Sequence, residues 1–245
     1  TSVDISDPNN LVVRDTLTSA ALDGAWDISI VGGFAYIKTR DSGLLLVVDI
    51  SDPDNLIERG SVGVGGGEGG LIASGNFAYV GSAGQLVVVD VSDPDNPIVR
   101  DTLAVTSPYG LDVVGDFVYV TRFSSPGRLT IVDVSDPDNV VQRGFVDNAS
   151  MNSASGIAVS GNYAYVAGYG ASSFTVVDIS DPDSPTWETS LATANMINPR
   201  KVYISGDYAY VANYGGTLTA IDISDPSNPV EEKFIGVANA VDVSV

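Results

Sequence analysis

The sequence predicts an all-β protein: a single β-propeller over residues 1–245, with six blades of four antiparallel strands. Three observations predict it. A Ser-Asp-Pro turn recurs six times, a Gly-Asn-Tyr-Ala-Tyr-Val segment recurs at the same period, and no stretch sustains the 3.6-residue hydrophobic period of a helix. The turns begin at Ser6, Ser51, Ser92, Ser135, Ser180 and Ser224, at spacings of 45, 41, 43, 45 and 44 residues. A period near 40–45 residues holding four short strands is the signature of a propeller blade.

One repeat justifies the elements in order. Ile157 to Ser160 reads as strand A, and Gly161-Asn162 as a tight hairpin turn, since both residues tolerate positive φ. Tyr163 to Ala167 reads as strand B, and Gly168 to Ser172 as a loop. Phe174 to Ile179 is strand C, nearly all apolar, as a strand covered on both faces must be. Ser180-Asp181-Pro182-Asp183 is a turn in which proline presets φ and aspartate binds its own backbone. Strand D follows from Thr186 and is expected at the rim, where Arg14, Arg59, Arg100 and Arg143 share one register with Glu188 and Glu232. Charges there discourage edge-to-edge pairing.

The count gives six A, five B, six C and six D strands. The chain opens on a C strand, Val3-Asp4-Ile5, and closes on an A strand, Val241 to Val245. The ring is therefore expected to close across the termini, with one blade lacking a visible B strand. An unpaired gap would leave backbone donors unsatisfied. That favours a polypeptide continuing beyond one end, with a targeting signal there, over a strand supplied by a neighbouring molecule in self-assembly.

Composition narrows the function classes. The net charge is −20, which repels nucleic acid and anionic membrane. Of the 31 acidic residues, 16 belong to the recurring Asp-x-Ser-Asp-Pro-Asp turns, so much of the acidity is turn chemistry. Adaptation to a saline medium is a secondary reading. No apolar run approaches the roughly 18 residues that span a bilayer. Cysteine and histidine are both absent, so Ser–His, Cys–His and His-based metal sites cannot be built.

The stretch Leu86-Val87-Val88-Val89-Asp90-Val91-Ser92-Asp93-Pro94, its five counterparts and the Gly-Asn-Tyr-Ala-Tyr-Val stretches resemble the LVIVD-repeat family of β-propellers. Tyr210 to Thr217 is similar to the YVTN surface-layer propellers. The resemblance spans nearly the whole chain. It implies a prokaryotic protein that is secreted or held at the cell surface, and it transfers no catalytic residue.

Candidate residues come from the D–A and B–C loops, which share one face of a propeller and vary here, whereas the A–B and C–D turns are monotonous. They supply Trp26, Lys38, Arg40, Glu68, Tyr109, Arg122, Phe123, Arg128, Tyr169, Met196, Arg200 and Tyr214. Five of the eleven basic residues fall in this set. The pattern suits a protein- or glycan-binding face, because binding residues concentrate on loops carried by a rigid scaffold. Calcium is the cofactor candidate, at the oxygen-rich Asp49 to Asp54 turn and its copies. Asx-type turn capping is the stronger reading of those carboxylates. The alternative function is a hydrolase acting on carbohydrates or esters through acidic residues or bound Ca²⁺. Gly65 to Gly70 lacks the Lys of a phosphate loop and reads as a flexible connection. Asn148-Ala149-Ser150 fits a glycosylation sequon on an exposed loop.

Overall fold

A computed structural model describes residues 1–237 and 242–243. The A strand expected at Val241–Val245 therefore lies largely outside the described residues. The chain divides into two compact units, Thr1–Ala104 and Val105–Val245.

The first unit begins with a two-stranded sheet, β1 (Ser2–Asp4) and β2 (Val12–Asp15). A four-stranded meander follows: β3 (Ala25–Val31), β4 (Phe34–Thr39), β5 (Leu44–Asp49) and β6 (Ile57–Gly63). The next meander is β7 (Leu71–Ser74), β8 (Phe77–Ser82), β9 (Gln85–Asp90) and β10 (Ile98–Ala104).

The second unit holds three meanders. They are β11 (Pro108–Val114) to β14 (Val141–Asn148), β15 (Ala154–Ser160) to β18 (Thr186–Leu191), and β19 (Pro199–Ser205) to β22 (Val230–Gly236). Within them lie β12 (Phe117–Arg122), β13 (Gly127–Asp133), β16 (Tyr163–Gly168), β17 (Ser173–Asp178), β20 (Tyr208–Asn213) and β21 (Thr217–Asp222). Two single 3₁₀ turns, Ala20–Leu22 and Ala149–Met151, are the helical elements among the described residues.

The hairpin joining the first two strands of each meander turns on one glycine. Gly32, Gly75, Gly115, Gly161 and Gly206 all take φ between 56° and 59°. The residue after each stays at ordinary φ, so only the first turn position requires glycine, the type II′ arrangement.

The third strands are the core. Leu45 to Val47 are fully buried, as are Leu86, Val88 and Val89. In three B strands the second aromatic residue, a tyrosine, reaches across to the following sheet. In the first unit Tyr36, Leu45 and Val47 pack on Leu71, Ala73, Ala78, Val80, Val89 and Val91. In the second unit Tyr119 packs with Ile157, Ala164 and Val166, and Tyr165 with Val202, Ala209 and Val211. Inner strands are also tied across sheets by polar side chains. Asp27 accepts from the Leu71 N–H (2.9 Å), Ser29 from Ala73 (3.0 Å), and in the second unit Asp112 from Val159 (2.6 Å).

The Ser-Asp-Pro turns are Asx-capped. Asp49 accepts from both the backbone N–H (3.0 Å) and the hydroxyl (2.6 Å) of Ser51, and Asp52 accepts from the Asp54 N–H (3.0 Å). The same pair of bonds recurs at Asp90–Ser92 and Asp133–Ser135.

The charged register on the outer strands has a structural role that edge protection alone does not describe. Every C–D pairing carries a bulge, and it falls at Arg14, Arg59, Arg100, Arg143, Glu188 and Glu232. A bulge re-aims its side chain. Arg59 bonds Asp49 of its own sheet (3.3 Å) and Asp95 of the following turn (2.7 Å). Arg143 does the same with Asp133 (3.0 Å) and Asp183 (2.7 Å), and Arg14 reaches Asp54 (2.6 Å). These arginines clamp one sheet to the next.

Candidate functional site

Seven of the variable loop residues occupy two homologous positions. The first is the bulge near the start of strand A. It falls at Trp26 in β3, within Tyr109-Gly110 in β11, at Ser155 in β15 and at Arg200 in β19. The second is the residue directly after strand B: Arg40, Phe123, Tyr169 and Tyr214 after β4, β12, β16 and β20. Backbone bonds link the two positions. The N–H of Phe123 donates to Ser107 O, and that of Tyr214 to Asn198 O, both at 3.0 Å. Ser107 and Asn198 hold φ of 48° and 53°, a conformation costly for a non-glycine residue and set by these loop contacts.

In the second unit the two positions converge. Tyr109 stacks on Phe123 with centroids 4.7 Å apart, and Phe123 meets Tyr169 at 5.9 Å. The Arg200 guanidinium lies 5.0 Å from the Tyr169 ring and 5.3 Å from the Tyr214 ring, and donates to the Tyr109 hydroxyl (3.3 Å). Its buried Nε has no hydrogen-bond partner among the described residues. Tyr214 is 48% exposed. The cluster thus offers aromatic faces held around a cation that has donor capacity to spare.

Other expected residues serve the scaffold. Met196 is fully buried in the apolar cluster with Tyr165 and Phe174, so it is core and not binding surface. Arg122 donates to Pro126 O and pairs with Asp147 (3.3 Å). Arg128 pairs with Asp147 (2.6 Å) and lies over the Phe145 ring (3.8 Å).

In the first unit Trp26 and Arg40 form a cation–π pair at 5.6 Å, and Arg40 also bonds Asp41 (2.9 Å). Lys38 is fully buried and donates to Gly67 O. Burial pushes its ammonium pKa down, opposed by the nearby Asp27 and Glu68 carboxylates. Glu68 itself is exposed. Lys38 therefore pins the glycine-rich segment. Ser82 does so too, bonding Gly65 O and Gly66 O, and backbone N–H groups of Val64 and Gly65 bond Gly43 O. The flexible connection expected there is instead a hydrogen-bonded loop. The sequon also differs from expectation. Asn148 caps the 3₁₀ turn, its side-chain oxygen accepting from the N–H (2.9 Å) and hydroxyl (2.8 Å) of Ser150, and both residues are half-buried.

Homologous placement was visible in the repeat alignment, but the bulge that makes Ser155 the counterpart of Arg200 was not. Among the described residues no three carboxylates gather in a geometry that would hold a metal ion, and no helix is long and apolar enough to cross a membrane.

Comparison with known proteins places the repeat. A search of curated proteins returned no match. Among solved structures, a functionally unknown protein from Desulfotomaculum acetoxidans superposes with a TM-score of 0.76 at 14% identity, covering 92% of this chain and 74% of that one. The periplasmic gluconolactonase of Pseudomonas aeruginosa superposes at 0.75 and 14%, covering 89% and 72%. A putative 6-phosphogluconolactonase from Bacteroides fragilis does so at 0.71 and 15%, covering 87% and 70%. At such identities the likeness concerns the fold, which is the β-propeller fold. The LVIVD repeat family matches five stretches, 24–64, 65–103, 109–147, 152–193 and 198–235, one for each four-stranded sheet. With most of its length matched, the chain belongs to the LVIVD-repeat family.

Proposed function

We propose that the chain is a non-enzymatic extracellular or cell-surface module that binds a glycan or protein through the Tyr109–Phe123–Tyr169–Arg200–Tyr214 cluster. The observation that carries this reading is Arg200, held between two tyrosine rings with an unpartnered buried Nε. Tyrosine and arginine are the residues that concentrate binding energy at recognition surfaces. Rings stack on the C–H faces of sugars or on apolar side chains, while a guanidinium donates to hydroxyls or carbonyls. The rings are already packed on one another, so little side-chain freedom is lost on binding. The extracellular setting rests on the family's usual occurrence in prokaryotic surface proteins.

The test is a panel of soluble glycans and surface-protein extracts titrated against the wild type and Tyr214→Ala. Tyr214 is half exposed, so its truncation spares the fold. One aromatic contact is worth about 0.5–1.5 kcal/mol, so affinity should fall roughly 2- to 10-fold. Unchanged affinity would overturn the assignment of the site.

The names of two fold neighbours favour a second reading, hydrolysis of a sugar lactone. Turnover of gluconolactone by the wild type that survives in Tyr214→Ala would support that reading over binding at the cluster.

A further inference from the structure

The first unit carries an open apolar groove of about 320 Å³ between the β1–β2 sheet and the β3–β6 sheet. One wall is Ile28 and Ile30 of β3, Ala35 and Ile37 of β4, and Val48 and Ile50 at the end of β5. The same six repeat positions in the next sheet are Leu71, Ala73, Ala78, Val80, Val89 and Val91, and there all six are buried under Tyr36, Leu45 and Val47. The second unit fills its equivalent surfaces with Tyr119 and with Tyr165. The chain thus shows three times what this surface accepts: the tyrosine at the second aromatic position of a B-type strand. In the first meander Ile28 and Ile30 remain 55% and 60% exposed.

Among the described residues the backbone beside the groove is equally unpartnered. β1 corresponds to a third strand, because Asp4-Ile5-Ser6-Asp7-Pro8 aligns with Asp49-Ile50-Ser51-Asp52-Pro53. β5 pairs on both edges, with β4 and β6, whereas β1 pairs only with β2 among the described residues. Val3 is 44% exposed where its counterpart Val48 is 3%. A free strand edge is a template for strand addition. The register of β4 on β5 sets Phe34 opposite Asp49, Ala35 opposite Val48 and Tyr36 opposite Val47. Carried over to β1, an added strand sets an aromatic residue opposite Asp4, alanine opposite Val3 and tyrosine opposite Ser2. Ser2 itself lines the groove, and its small side chain leaves room for the ring.

We propose that the β1 edge and this groove form a strand-acceptor site for an extended aromatic-Ala-Tyr-Val segment of another polypeptide, added antiparallel to β1 with its tyrosine in the groove. The site shares no residue with the aromatic–arginine cluster and does not depend on it.

The test uses a synthetic peptide, Gly-Asn-Tyr-Ala-Tyr-Val-Ala, copied from residues 161–167. It is titrated into the whole chain by calorimetry, with hydrogen exchange read at the amides of Ser2 to Asp4. The expected result is saturable one-to-one binding and slowing of those amides by at least about tenfold, as strand hydrogen bonds form. The same peptide carrying Tyr165→Ser should bind at least about tenfold more weakly, because it leaves the groove empty. Equal binding of the two peptides, or binding without protection of β1, overturns the proposal. So does a chain that refuses the peptide, whether as a monomer or as a dimer with Ile28 buried; in the dimer a second copy is the occupant.

Discussion

Tyr165→Ala probes the contact that joins one sheet to the next. The ring is 3% exposed, packs with Val202, Ala209 and Val211, and stacks on Phe174 with centroids 5.7 Å apart. Burial also pushes its phenol pKa up, as expected for a hydroxyl drawn out of water. Removing the ring forfeits about 150 Å² of burial, which at about 25 cal/mol per Å² is about 4 kcal/mol. Large-to-small aromatic substitutions in cores cost about 3–5 kcal/mol, so the two routes agree. For a chain of this length the midpoint of thermal unfolding should fall by about 8–16 °C. The control is Tyr208→Ala, in the first aromatic position of the same Tyr-Ala-Tyr-Val motif but 42% exposed. It should cost under about 1 kcal/mol. Urea unfolding followed by circular dichroism measures both. If the two variants lie within about 1 kcal/mol of each other, the second tyrosine does not hold the sheets together, and the argument for the groove at β1 weakens with it.

Two further outcomes test the packing and the charges. At Gly144 a Cβ would stand 2.5 Å from Pro182 O and 2.6 Å from Pro185 Cδ, atoms that cannot swing away. Gly144→Ala should therefore lose about 1–3 kcal/mol, while Gly63→Ala, with nothing within 4 Å, should lie within about 0.5 kcal/mol of the wild type in thermal unfolding. Acid should unfold the protein. Serine hydroxyl and N–H donors hold the Asp49, Asp133, Asp178 and Asp222 carboxyls below their ordinary value. Stability from such groups is complete above the unfolded value, near about pH 4, and is lost as pH falls through the lowered folded values. Asp112 runs the other way: burial raises its pKa against two N–H donors, so its contribution is lost as pH rises through the folded value. Relief of repulsion at net charge −20 also favours mild acid, which sets the stability maximum near about pH 5. Thermal midpoints that still rise below about pH 3 would contradict this balance.

The periodicity of Ser-Asp-Pro and Tyr-Ala-Tyr-Val determined the strands, their order within each sheet and the turn chemistry, because each is a local interaction. Asp49 caps Ser51 two residues away, and Gly161 turns a two-residue hairpin. The loop positions around the aromatic–arginine cluster were legible for the same reason: repeats place Phe123, Tyr169 and Tyr214 in register. What only the tertiary structure decided are contacts whose partners lie in another repeat. It drew Arg200 to Tyr109 across 91 residues and sent Met196 inward to the core. It bent the outer strands at each bulge so that Arg59 and Arg143 reach the following turn, where the sequence alone suggested charges that discourage edge-to-edge pairing. The groove beside β1 belongs to this second group. Composition shows apolar residues at Ile28 and Ile30, but exposure depends on what stacks against them, and stacking is a property of the folded sheets.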